Sequence, residues 1–317
     1  MRLDSRIFVP MVLIALAGCR APVEKREPVP VVRMATVLGR ITTPLAEALN
    51  KVLPDHFPAR VEVQKTDLTV DYVRLIAEGK AEVAMIQTDI AYAAYTQGAG
   101  DPSNPERRLR GVGVLYTTPL HLMALQSSGI RNLMDLRGKR VAVVTIGSPT
   151  EFTVRMTLEG VGLSMADVQP GQMSVEKAIQ GLRAGEVDAV FGRGNDPSPN
   201  IRQIMSVPGV SLIPISRGQI DKIRAHHPFL HSTSIPAGVY GNHPEVETVG
   251  VEMLLACRDN LPEDLVYWIT RTLFESLPAL ADAFPPLRQI DLEHVQASPI
   301  PLHSGAARFY RERELFQ

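Results

Sequence analysis

Two arginines stand where a chain of this kind could recognise charge. Arg40, in Leu38-Gly39-Arg40-Ile41-Thr42-Thr43, lies between an expected strand and an expected helix, and its planar guanidinium suits a bidentate pair with a carboxylate. A solvated surface arginine is the competing reading. Arg193, in Gly192-Arg193-Gly194-Asn195-Asp196, follows another expected strand, between glycines that let backbone approach closely. Ser148-Pro149-Thr150-Glu151 has the spacing of a capping box with proline at the first helical position, and Arg155, one turn later, reads as exposed. Ser148, His121 and Asp89 can be assembled on paper into a nucleophilic triad, yet Ser148 is better explained as a cap and no Gly-x-Ser-x-Gly elbow occurs. An enzyme is therefore the poorer reading. His226, His227, His231, His243, His294 and His303 lack the Cys/His pattern of a zinc site, so surface or loop positions are expected, with no metal ligand and no cofactor.

One further residue type carries chemistry at the other end of the chain. Residues Ile7 to Ala17 form a short apolar stretch behind a segment with two arginines, too short to span a bilayer, and Leu16-Ala17-Gly18-Cys19 closes it in the manner of a bacterial lipobox. Cys19 is expected to be acylated, and an ordinary secretory signal with a chance cysteine is the alternative. Acyl chains contribute about 0.8 kcal/mol per buried methylene, enough in combination to hold a domain on a lipid bilayer. The prolines and charges of Ala21 to Pro30 then read as a stiff tether. With Cys19 acylated, Cys257 has no partner, and its apolar neighbours make it a small core residue.

Composition fits a globular body: 317 residues, 45% hydrophobic, with 33 basic against 34 acidic side chains. That balance gives no field for nucleic acid, so nucleic-acid binding is excluded as a function class. The elements that must position the arginines come in two similar sets. Ile76-Ala77-Glu78-Gly79-Lys80-Ala81-Glu82-Val83 and Leu182-Arg183-Ala184-Gly185-Glu186-Val187-Asp188-Ala189 share one frame: a helix end, a glycine for a left-handed turn, an acid and a buried strand. Each set is preceded by a strand feeding a capped helix. Val31 to Val37 leads to Thr43-Pro44 and an apolar face of Leu45, Ala48, Leu49, Val52 and Leu53, while Arg140 to Thr145 leads to the Ser148 cap. An α/β protein of two lobes follows, its ligand groups beyond the carboxyl ends of strands. Glu263 to Leu277, with Trp268, reads as an amphipathic helix, and Ala306 to Arg313 as a charged helix that docks by an aromatic edge.

Several strings in one order carry a resemblance: Ala84-Met85-Ile86-Gln87-Thr88-Asp89-Ile90, Leu115-Tyr116 to Pro119-Leu120-His121, Asp135-Leu136-Arg137-Gly138-Lys139-Arg140-Val141, Ile235-Pro236-Ala237-Gly238-Val239-Tyr240, Leu261-Pro262-Glu263-Asp264-Leu265 and Ile300-Pro301-Leu302-His303-Ser304-Gly305. From about Met34 to Arg313 the chain resembles the TAXI family, the solute-binding receptors of tripartite ATP-independent periplasmic (TRAP) transporters. The resemblance implies a two-lobed periplasmic-binding-protein fold of type II-like form that closes about a hinge on a small anionic solute, a carboxylate or acidic amino acid, and delivers it to a TRAP permease. It divides the chain into a signal peptide (1–19), a tether (20–30), lobe I (31–121 and 235–317) and lobe II (122–234), with crossings near Leu120 to Leu125 and Ser232 to Ala237. The wall residues it implies are Gln87, Thr88 and Asp89 from the first lobe and Gly147, Ser148 and Thr150 from the second, with Tyr116 and Tyr240 flanking the crossings.

The sequence departs from that pattern in its loops. The glycine-rich loop after the first strand is shortened, Lys65-Thr66-Asp67-Leu68-Thr69 replaces a Thr-Gly-Gly-Ser-like loop, and Pro149 removes a backbone N–H from a helix end. These changes leave Arg40 and Arg193 as the expected source of charge recognition. They also keep open a ligand-sensing or structural lipoprotein of the same fold that no longer feeds a transporter.

Overall fold

The computed structural model describes residues 31–36, 42–66, 71–98, 106–144, 149–290 and 297–313. Cys19 with its leader and tether, Arg40, Asp67 to Thr69, Gly147, Ser148 and His294 lie outside the described residues. The first half runs β1 (Val31–Thr36), α1 (Thr42–His56), β2 (Arg60–Lys65), α2 (Asp71–Ala77), β3 (Val83–Gln87), α3 (Thr88–Gln97) and the long β4 (Leu109–Leu125). The middle comprises β5 (Arg140–Val144), α4 (Pro149–Gly160), β6 (Gln169–Met173), α5 (Val175–Ala184), β7 (Ala189–Arg193), α6 (Pro199–Met205), β8 (Val210–Leu212) and α7 (Arg217–His226). The chain returns through β9 (Leu230–Ile235) and β10 (Val246–Arg258), then ends in α8 (Glu263–Glu275), α9 (Leu277–Ala283) and α10 (Ser304–Glu312).

Strand order is β2-β1-β3-β10-β4-β7-β5-β6, with β8 on β4 and β9 on β10. The order contains one motif twice. Parallel β2-β1-β3 meets antiparallel β10, and parallel β6-β5-β7 meets antiparallel β4. This is the two-lobed α/β fold expected from the repeated frame, and the repeat has a physical basis. Gly79 and Gly185 both sit at φ 69°, the left-handed conformation that glycine adopts without a Cβ penalty. Three residues on, Glu82 accepts the Arg33 N–H at 2.7 Å and its Nε–H at 3.0 Å, while Asp188 accepts the Arg140 N–H at 2.9 Å and its Nε–H at 2.9 Å. Each acid thus holds an arginine of the neighbouring parallel strand, so one device sets the register of β1 with β3 and of β5 with β7.

Helices cover both faces of each half. Leu45, Leu49 and Leu53 of α1 are fully buried with Leu265, Ile269 and Leu273 of α8 and with Phe309 and Tyr310 of α10. Each such leucine contributes about 2 kcal/mol by leaving water. Tyr72, Ile76, Ile86 and Ala91 fill the other face. In the second half Val154, Leu158, Ile220 and Ile223 lie on one face and Ala178, Leu182, Ile201 and Ile204 on the other. Cys257 is fully buried in the first core, where burial pushes its thiol up and out of reactive range. Trp268 is half-buried against α1, with its ring stacked on His56 at 3.6 Å and Arg271 over it at 4.8 Å. The docking of α10 is completed by the Tyr310 hydroxyl, which donates to the Val112 carbonyl at 2.6 Å.

Two expectations need correction. His303 is no surface histidine: it is 2% exposed and its Nδ1 accepts the Gly305 N–H at 3.2 Å, capping α10 in place of a serine or aspartate. The amphipathic helix expected to Leu277 stops at Glu275, because Pro278 can only enter a new first turn, that of α9.

β4 carries the chain across. Its residues up to Pro119 pair with β10, and Leu120 to Ala124 pair with β7. On the return, Ile235, Tyr240 and Val246 belong to the second half's core with Val249 and Val251, whereas Leu254 to Cys257 belong to the first half's core. β10 is thus shared between the two cores, its residues before Glu252 packing in the second half and those from Leu254 on in the first. Gly250 stands at this crossing because a Cβ there would meet the Thr233 Cγ2 at 2.9 Å and the Thr118 oxygen at 3.3 Å. Among the described residues no helix is long and apolar enough to cross a membrane.

Candidate functional site

Residues from both halves meet where the chain leaves β3 and β7. Gln87 ends β3 in an extended conformation (φ −70°, ψ 143°) and α3 begins directly after it, which places Thr88 and Asp89 in the first helical turn. Free N–H groups and the helix dipole favour a carboxylate there. Asp89 accepts the Ile90 N–H at 2.8 Å and the Thr153 hydroxyl of α4 at 2.7 Å. Arg193, the last residue of β7, donates from Nη1 to Thr153 Oγ1 at 2.6 Å and stands 3.5 Å from Asp89 Oδ2. The two charged side chains are 0% and 4% exposed, so this is a buried ion pair bridged by a hydroxyl and shared between the halves. Burial pushes the Asp89 carboxyl up, against the pull of Arg193 and Thr153, and pushes the Arg193 guanidinium down, against Asp89.

The loop that follows Arg193 continues the join. The Thr118 hydroxyl donates to Asn195 Oδ1 at 3.1 Å, and Asn195 also hydrogen-bonds Tyr116, whose phenol burial pushes up to about 12. Tyr116 packs against Phe284 with ring centres 5.3 Å apart. Asp196 accepts the Tyr240 hydroxyl at 2.6 Å and faces His121 Nε2 at 2.8 Å, and the Ser198 N–H donates to the Tyr240 oxygen at 2.8 Å. An apolar contact closes the far side, where Tyr92 of α3 lies 5.0 Å from Phe229 of the second half.

Of the residues expected to line a site, Asp89 and Arg193 are brought into one cluster, and Tyr116 and Tyr240 are joined to it through Asn195 and Asp196. Gln87 is half-buried, and Thr150 is buried one turn before Thr153 on α4. Thr88 is fully buried, and its hydroxyl has no hydrogen-bond partner among the described residues. Such an orphan is costly and rare, about 1–3 kcal/mol by mutational measures. Arg40, Gly147 and Ser148 lie outside the described residues. Of the imagined triad, Ser148 lies outside the described residues, while His121 is bound to Asp196, and Asp89 to Thr153 and Arg193. Glu151 accepts hydrogen bonds from Arg155, at 3.2 Å, and from Gln172, and Arg155 is exposed as expected.

Sequence reasoning missed Thr153, Asn195 and Asp196. Thr153 had a signal, since it follows Thr150 by three residues and shares its helical face. Asn195 and Asp196 sat in the string around Arg193, yet nothing in their spacing named Tyr116, Thr118, His121 and Tyr240 as partners.

The sequence profile of the NMT1-like family matches residues 40–313. Among solved structures, the alkanesulfonate-binding protein SsuA from Xanthomonas axonopodis pv. citri bound to MOPS is 19% identical over 90% of this chain and 84% of the other, with a TM-score of 0.50. The periplasmic aliphatic sulphonate binding protein SsuA from Escherichia coli is 16% identical over 92% and 95%, also with a TM-score of 0.50. A Xanthomonas citri protein bound to ATP is 13% identical over 90% and 99%, with a TM-score of 0.55. At these identities the likeness is one of fold: two α/β lobes linked by paired crossing strands.

Proposed function

The chain belongs to the NMT1-like family, and from that footing we propose that it is an extracytoplasmic, lipid-anchored receptor that closes on a small solute and hands it to a membrane permease. The observation that carries the proposal is the meeting of Asp89 from the first half with Thr153 and Arg193 from the second, beyond the carboxyl ends of β3 and β7. Open α/β sheets collect ligands at such ends, and a hinge between two lobes brings both ends onto one solute. The buried Thr88 hydroxyl beside Asp89, without a partner among the described residues, is a group that a bound solute would satisfy. The alkanesulfonate- and sulphonate-binding proteins of similar fold support a binding role over a catalytic one.

Three finer parts of the proposal rest on the sequence. The anchor is supported by Leu16 to Cys19, and the TRAP type of the permease by the ordered strings from Ala84 to Gly305. The charge of the solute is where the structure alters the expectation of an anion. Arg193 is already matched by Asp89, so a solute carboxylate would meet a balanced pair in place of a lone cation. That same internal pair favours a second reading, a sensing or structural lipoprotein that no longer feeds a transporter.

A thermal-shift screen of carboxylates, sulfonates, amino acids and amines, followed by solution scattering with each stabilising compound, tests the receptor. A solute that raises the melting temperature and shrinks the radius of gyration is the expected result. Compounds that all leave both unchanged would overturn it, and uptake that survives deletion of the gene would favour the sensing role.

A further inference from the structure

Asp89 reaches Arg193 from the opposite half of the molecule, as the anionic group of a solute would. Its carboxylate takes the Thr153 hydroxyl at 2.7 Å and the Ile90 N–H at 2.8 Å, and the first turn of α3 supports its charge. Arg193 is therefore answered by a carboxylate belonging to the protein itself. An incoming anion must share the guanidinium with Asp89, which puts two like charges side by side in a place where both residues are almost fully withdrawn from water. The direct gap of 3.5 Å is also long for a charge-assisted hydrogen bond, which closes to about 2.7–2.9 Å when well made. The pair is thus held apart by Thr153, and a group bearing N–H donors can be received by Asp89 without depriving it of an established short contact to Arg193.

We propose, building on the receptor reading, that Asp89 is the specificity-determining residue of the cleft: it occupies Arg193 in place of a solute anion, refuses solutes that carry only negative charge, and accepts those that bring a cationic N–H group of their own. The solute class is then a net-neutral compound that carries an ammonium group beside its anionic one, since a lone cation would meet Arg193 as a lone anion meets Asp89, and simple carboxylates are excluded.

Calorimetry with succinate, 4-aminobutyrate and 1,4-diaminobutane on the full chain and on Asp89→Asn gives the test. Succinate should bind Asp89→Asn on the order of a hundredfold more tightly than the wild type, because the amide removes the like charge and leaves Arg193 uncommitted. The double variant D89N/R193Q should lose that gain. Succinate bound with comparable affinity by the wild type and by Asp89→Asn, or bound by neither, overturns the proposal. Should Asp89→Asn fail to fold, Arg193→Gln decides: it leaves Asp89 without its cation and should tighten 1,4-diaminobutane, and an unchanged affinity overturns the assignment. The receptor reading fails separately. If no compound in the screen stabilises the wild type while Asp89→Asn gains succinate, the charge assignment stands and the transport role falls; if the wild type binds a screened solute and Asp89→Asn gains nothing, the reverse holds.

Discussion

The phenol of Tyr240 donates a 2.6 Å hydrogen bond to the carboxylate of Asp196, tying the segment between β9 and β10 to the loop that leaves β7. The same oxygen accepts the Ser198 N–H at 2.8 Å, and the ring lies edge-on to His121 at 5.4 Å. Burial and the neighbouring carboxylate push the phenol up, so it remains a donor at any physiological pH. Expected to flank a crossing between the lobes, Tyr240 braces the loop that follows Arg193.

Tyr240→Phe should lower stability by about 1–3 kcal/mol, since it leaves Asp196 one donor short and the Ser198 N–H without its acceptor. Denaturant unfolding of the variant beside the wild type measures it. A midpoint shift no larger than that of a Tyr267→Phe control, whose hydroxyl donates to the exposed Glu312 at 2.6 Å, would show that the brace carries no energy.

Asp188 gives a pH prediction. The hydrogen bonds from Arg140 hold its carboxyl below the ordinary carboxylate range, with burial opposing them. A folded-state value below the unfolded one means that this contribution is fully present above the unfolded value of about 3.9 and is lost as pH falls through the folded value. Asp188→Asn should therefore be less stable near neutrality and should lose less of its remaining stability on acidification than the wild type does. Parallel acid limbs in the two unfolding profiles would contradict the assignment.

Gly305, near the start of α10, lies so close to α8 that a Cβ there would collide with the Glu263 carbonyl oxygen and stand 2.7 Å from the Tyr267 backbone nitrogen. Both obstacles are backbone and cannot rotate away. Gly305→Ala should cost about 1–3 kcal/mol by forcing the two helices apart. Because Trp268 is the only tryptophan and follows Tyr267 in α8, its fluorescence during a thermal melt reports the loss directly.

Cys19→Ala should leave an unprocessed or released protein that no longer partitions into detergent, because acylation requires the thiol of the Leu16 to Cys19 ending. Unchanged maturation and membrane fractionation of the variant would end the lipoprotein reading.

Local signals made much of the fold legible. Gly79 and Gly185 announced two helix ends, and Leu45, Leu49 and Leu53 announced one buried face, because a left-handed turn and a helical stripe depend on neighbours a few residues away. The repeated frame around those glycines was enough to imply two similar halves, and its acids, Glu82 and Asp188, proved to be the register-setting residues of both. Which carboxylate answers Arg193 was decided only when the halves came together. Asp89 and Thr153 are remote from Arg193 in sequence, and a guanidinium on a glycine-flanked loop looks the same on paper whether it awaits a solute or is already matched. Likewise, a buried cap made by His303 and the sharing of β10 between two cores depend on which surfaces are left to be covered once both cores have packed. Spacing along a chain encodes conformation over a few residues, whereas the partner of a buried charge is set by the long-range packing that removes it from water.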